Sequence, residues 1–204
     1  MSIPYELAGR THQKQRTRQA LVAAAREMVA QGVTPTVDAV AAKASISRTT
    51  AYRYFPNQRS LLLSAHPEIE ARSLLPENPP KDPEARLDVV IQTFLRLIVD
   101  TEPQQRTMLR LSLEPDLNLR GELPLRQGRA IGWIAEALAP LRDRMSQAQL
   151  KRLAVAIRST AGIEALVWLT DIAGLSRDEA ALVMRQSARA LLQSALADLE
   201  AGRN

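Results

Sequence analysis

Residues 36–56 read Thr36-VDAVAAKASISRTTAYRYF-Pro56, and the spacing of small and apolar positions in this stretch decides what the chain is built around. Val40, Ala41, Ala44, Ile46, Ala51 and Tyr54 fall where two short helices, predicted from Val37 to Lys43 and from Arg48 to Phe55, pack across a tight turn. Ala41 must be small, because a larger side chain would hold the two helices apart. Ser45 sits in the turn, and Ser47 is the residue type that caps a helix starting at Arg48. Pro56-Asn57 then breaks the chain before a further helix begins near Arg59.

The second of these helices carries Arg48, Thr49, Thr50, Tyr52 and Arg53 at or near its exposed N-terminal half. These side chains suit a major groove. Arginine bonds bidentately to guanine, threonine contacts a thymine methyl or a phosphate, and a tyrosine hydroxyl donates to phosphate. Against this stands the plain reading of Tyr52, Tyr54 and Phe55 as core aromatics, which fits Phe55 best and Tyr52 least, given its polar neighbours. Charge favours nucleic acid. Residues 1–60 hold nine Lys and Arg against Glu6, Glu27 and Asp38, a net +6, while the remainder is net −1. All of the excess positive charge therefore lies beside the two short helices.

Working outward, an apolar stripe of Ala20, Leu21, Ala24, Met28 and Val29 predicts a preceding helix from Thr17 to Gln31, stopped by Gly32. Four prolines in residues 74–83, LLPENPPKDP, mark a boundary that no helix crosses. Beyond it, helices are expected near Glu84–Asp100, Pro103–Leu113, Leu125–Leu138, Ser146–Ile172 and Ser176–Glu200. The last two begin with S-x-x-E/Q capping boxes, Ser146 with Gln149 and Ser176 with Glu179. Aromatics make up only 3% of the chain and Ala, Leu and Arg recur, so the fold class is all-α rather than sheet-based. Three N-terminal helices forming a helix-turn-helix domain, followed by a larger helical bundle, give about nine helices in total.

Inventory excludes several chemistries. The chain has no cysteine and two histidines, His12 and His66, which removes disulfides, thiolate nucleophiles and thiolate-bearing zinc sites. No HExxH, GxSxG or P-loop pattern occurs, so no catalytic residue, metal site or cofactor is expected and the chain does not read as an enzyme. No apolar signal core or stretch of about 18 apolar residues stands out, which predicts a cytoplasmic protein without a membrane partner.

The segment resembles the DNA-binding domain of the tetracycline-repressor (TetR) family of bacterial regulators. The resemblance rests on the helix from Thr17 to Gln31, Thr36-Val37, Val40-Ala41, Ile46-Ser47, Thr50-x-Tyr52, Tyr54-Phe55 and the Leu61-Leu62 pair, and covers about residues 15–63. It implies a DNA-binding transcriptional regulator with a helix-turn-helix domain over 1–63, including a basic N-terminal arm with Arg16 and Arg18, and a dimerisation and effector domain over 64–204. Positions resembling the family's operator contacts are Thr36, Val37, Ser47, Arg48, Thr49, Thr50, Tyr52, Arg53, Tyr54 and Gln58, with Arg48 the foremost candidate for base reading. Two departures stand out: Ser45 replaces the glycine usual in the turn, and Gln58 replaces a phosphate-binding lysine, leaving Arg59 as an electrostatic substitute.

The resemblance further implies a repressor bound to a palindromic double-stranded operator as a homodimer, joined through helices near 146–172 and 176–200, and released by a small-molecule effector. On the second of those helices, Ala180, Met184, Ser187, Ala188, Leu191, Ala195 and Leu199 form one broad face. The sequence locates the effector only loosely, with Phe94, Met108, Trp133, Arg158 and Trp168 as candidate pocket residues, although each Met or Trp also reads as simple core. The rival readings are an all-α small-molecule-binding protein or enzyme without DNA reading, and a protein–protein adaptor.

Overall fold

The computed structural model of the protein describes residues 5–65, 72–113 and 128–201, with side chains from residue 12 onward except that of residue 111. Its regular elements are helical, and no strand occurs among the described residues. The all-α expectation therefore holds.

Helix α1 spans Tyr5–Ala30, beginning well before the predicted Thr17. Its buried face is Leu21, Val22, Ala24, Ala25 and Val29, whereas Ala20, expected in the stripe, points outward. Gly32 ends the helix as predicted. At φ +76° it lets the Val33 amide donate back to the Met28 carbonyl at 3.0 Å, satisfying an acceptor the helix end would otherwise orphan.

Helices α2 (Val37–Lys43), α3 (Arg48–Tyr54) and α4 (Gln58–Ala65) follow within a residue or so of expectation. Local chemistry explains the agreement. Thr36 caps α2, its hydroxyl accepting from the Ala39 amide at 3.1 Å, and Ser47 caps α3 by accepting from the Thr50 amide at 3.3 Å. At α4, Asn57 accepts from the Ser60 amide at 2.8 Å. Between α2 and α3, Ser45 stands at φ +54° while the Ile46 amide reaches back to the Ala41 carbonyl at 2.9 Å. That is the left-handed C′ position glycine normally fills, and a side chain there costs about 1–2 kcal/mol. Glycine also loses more freedom on folding, so Ser45→Gly should raise stability by about 0.5–1 kcal/mol net. Thermal unfolding checks this, and an unchanged or lower Tm would count against strain in the turn.

Two compact units divide the described residues. The first holds 5–65 with 103–113, and the second 72–102 with 128–201. In the first, Leu21, Ala25, Val40, Ala41, Ala51, Phe55 and Leu61 are completely or almost completely buried together, with Met28, Ala44, Ile46 and Tyr54 packed at the margin. Ala41 lies at the α2–α3 contact with no exposed surface, as its small size demands. Helix α6 (Glu102–Leu113) joins this unit from Pro103 onward: Met108 packs on Val29 and Leu62, and Arg110 donates to the Thr34 hydroxyl at 2.6 Å. Nothing in the linear division at residue 63 foresees this association, which depends on contacts far apart in sequence, two of its hydrogen bonds spanning 76 and 78 positions.

The second unit is built on α5 (Pro83–Asp100), whose Leu87, Val90, Ile91, Phe94, Leu95 and Ile98 form one buried stripe. Asp82 caps it, accepting from the Ala85 amide at 2.8 Å, and Pro83 occupies the first turn, where no amide is needed. Helix α7 is Arg129–Ala137; the predicted start at Leu125 lies outside the described residues. Arg86 reaches from α5 to the carbonyls of Glu136 and Ala137, both at 3.0 Å, satisfying acceptors at the end of α7. On the other side, α10 (Arg177–Ala201) is tied to α5 by a two-pronged pair of Arg185 with Asp88, at 2.5 and 2.7 Å. Both capping boxes form: the Ser146 and Ser176 amides donate to Gln149 and Glu179, each at 2.8 Å.

The single long helix expected over 146–172 does not exist. Helix α8 (Gln147–Thr160) ends where Ala161 turns extended and Gly162 takes φ +154°, ψ −179°; α9 (Ile163–Val167) then restarts and widens into a π turn over Trp168–Ile172. Gly162 is buried, and a Cβ there would lie 2.2 Å from Arg158 Nη1. Arg158 fills the space a side chain would need, donating to the Ala161 carbonyl at 2.9 Å. Residues 147–172 do reach the length and hydropathy of a membrane-crossing helix, contrary to the expectation that no such stretch occurs, but the break interrupts them.

Candidate nucleic-acid interface

The buried side of α2 and α3 locks the pair together and leaves a polar side outward. Val37, Val40, Ala41 and Ala51 are buried, and Tyr54 is half-buried against the same core. Val37 and Tyr54, both expected to face an operator, are thus held largely by packing. Phe55 is core, as its apolar character suggested. Outward lie Thr36, Ser47, Arg48, Thr49, Tyr52 and Arg53, with Tyr52 45% exposed. Thr50 is half-buried and accepts a hydrogen bond from the Ser47 hydroxyl at 2.8 Å.

Arg48 is not an idle side chain. Its Nε donates to Asp38 Oδ1 at 2.8 Å, and its Nη2 donates to Oδ2 of the same carboxylate, while 74% of its side chain remains exposed. The Arg48 hydrogen bonds hold the Asp38 carboxyl below its ordinary range, and the carboxylate raises Arg48 in return. Sequence reasoning missed Asp38, counting it only as an acid against the basic excess. It stands ten positions from Arg48 on a different helix, so only the α2–α3 packing brings them together.

Gln58 donates from Nε2 to the Pro35 carbonyl at 2.9 Å, fastening the start of α4 to the loop before α2. That takes one of the two N–H donors of the amide. Arg18 donates to the Ser64 hydroxyl at 3.0 Å and lies 5.5 Å from the Phe55 ring centre, so it stitches α1 to its own domain, whereas Arg16 is exposed.

In the second unit, three of the five candidate pocket residues converge. Phe94 and Trp133 meet edge to face at 5.9 Å, and the Arg158 guanidinium lies 5.6 Å from the Phe94 ring while pairing with Glu164 at 3.3 Å. Met108 packs on Val29 and Leu62 in the first unit. Trp168 is 59% exposed. An open groove of about 460 Å³ between α5 and α10, bordered by Leu87, Ile91, Asp88 and Arg185, includes none of the five. Among the described residues no cluster of His, Asp or Glu could hold a metal ion.

A capped helix-turn-helix with a locked apolar side and an outward row of arginine, threonine and tyrosine defines a DNA-reading protein. Residues 20–65 match the family described as bacterial regulatory proteins, tetR family, and that match supports a DNA-binding transcriptional regulator of this kind. No curated protein matches the sequence.

Proposed function

We propose that the protein is a cytoplasmic repressor, not an enzyme, that binds a palindromic operator as a homodimer and is released by a small-molecule effector. The observation that carries this reading is the outward set of Arg48, Thr49, Tyr52 and Arg53 on a helix whose opposite side is locked into the domain. One such helix reads only a few base pairs, so useful affinity requires two of them on two half-sites. Dimerisation through 146–172 and 176–200 is supported by apolar side chains left at the surface there: Val155, Trp168, Ile172 and Val183, with Ile172 73% exposed. On this reading Trp168 serves the dimer contact and not the pocket. Residues 1–63 act as the reader and 64–204 as the dimerising and sensing part, with α6 packing on the reader.

Random-pool DNA selection with the whole chain tests the reading, and a palindromic motif is the expected result. A small-molecule-binding protein, enzyme or adaptor would enrich nothing. Light scattering should return twice the 22.5 kDa chain mass. A compound that binds the protein should also shift operator affinity, because an effector acts only through its preference for one conformation. Within the interface, Arg48→Ala should relax base preference at one position of each half-site, costing about 1–3 kcal/mol there. Tyr52→Phe should instead weaken binding to all sequences alike. Quantitative binding to the selected motif and its single-base variants separates the two, and parental behaviour from both would exclude this docking.

A further inference from the structure

The geometry of the Asp38–Arg48 pair points to Asp38 as a specificity-determining positioning residue, which holds the Arg48 guanidinium so that it reads a guanine edge and does not clamp a phosphate. This inference rests on the DNA-reading function proposed above. A guanidinium offers two forked edges: Nε–H with one Nη2–H on its side, and Nη1–H with the other Nη2–H at its end. Both carboxylate oxygens of Asp38 occupy the side edge. The end edge carries the two parallel donors that match guanine O6 and N7. The carboxylate that fixes the fork therefore does not use up the donors needed for the base.

Charge strengthens the argument. Phosphate attraction is sequence-independent and follows net positive charge, whereas a guanine edge is recognised through donor geometry. An arginine neutralised by an adjacent carboxylate loses much of the first interaction and keeps the second. Asp38 also repels a phosphate approaching the same spot. Asp38 lies in the first turn of α2, where a negative charge favours the helix by itself, but that effect requires nothing from Arg48.

The experiment is random-pool selection followed by affinity measurement on the selected motif and its single-base variants, using the whole chain and its Asp38→Asn, Asp38→Ala, Arg48→Ala and Asp38→Ala/Arg48→Ala forms. With the parent, a guanine is expected at one position of each half-site. Both Asp38 variants should lose about tenfold in discrimination at that position only, while affinity for random-sequence DNA stays level or rises. The double variant should discriminate no worse there than Arg48→Ala alone. Unchanged discrimination in Asp38→Asn and Asp38→Ala would overturn the inference, as would additive losses in the double variant. Tighter specific binding at undiminished discrimination would also overturn it, since Asp38 would then merely sequester Arg48. If the parent itself enriches no DNA, the underlying function falls and the inference with it, a result distinct from the other three.

Discussion

Phe94→Ala should cost about 3–5 kcal/mol of stability, a large share of the 5–15 kcal/mol that holds a typical domain folded. Phe94 is 1% exposed at the middle of the α5 stripe, so truncation leaves a cavity that the helices close only in part. It also removes the edge-to-face partner of Trp133 and the ring beneath Arg158. Denaturant unfolding followed by circular dichroism measures the loss. Phe94→Leu, which keeps most of the volume, should cost less than half as much. Equal damage from both variants would mean that the ring contacts, and not the filled space, dominate.

Gly162→Ala is the second large effect, at about 2–4 kcal/mol. One part is backbone strain, because φ +154° with ψ −179° is a conformation that side chains other than glycine's rarely adopt. The rest is displacement. The added methyl would sit 2.2 Å from Arg158 Nη1, so the guanidinium must leave the Ala161 carbonyl, the Glu164 pair and the Phe94 ring. Only the strain should remain when Arg158 is already absent. The loss from Gly162→Ala measured in an Arg158→Ala background should therefore be visibly smaller than in the parent. Equal losses in both backgrounds would show that Arg158 is not what the methyl meets.

These two residues also mark where the sequence can and cannot be read. Caps at Ser47, Ser146 and Ser176 and the stop at Gly32 were legible because each depends on hydrogen bonds spanning five positions or fewer. The break at Gly162 was not. Its neighbours are apolar helix formers, and a lone glycine in such a run is compatible with a continuous helix; the extended Ala161 and the Arg158 side chain lying where a Cβ at 162 would sit emerge only in the folded chain. The interface divides the same way. Outward exposure of Arg48, Thr49, Tyr52 and Arg53 follows from helix periodicity, while the burial of Val37, the bond from Gln58 to Pro35 and the carboxylate on Arg48 follow from packing between elements. Trp168 and Met108 share one lesson: large apolar type identifies a residue that something must cover, without saying what covers it.

The seat of Met108 bears on how this protein is taken apart and recombined. A chimera joined at the proline-rich segment would graft residues 1–65 onto a foreign body and leave behind the methionine that covers Val29 and Leu62. The transplanted reader would carry a bare oily spot and lose the Arg110 clasp on Thr34. A transplant that preserves the reader needs two junctions, so that the helix through Met108 travels with it.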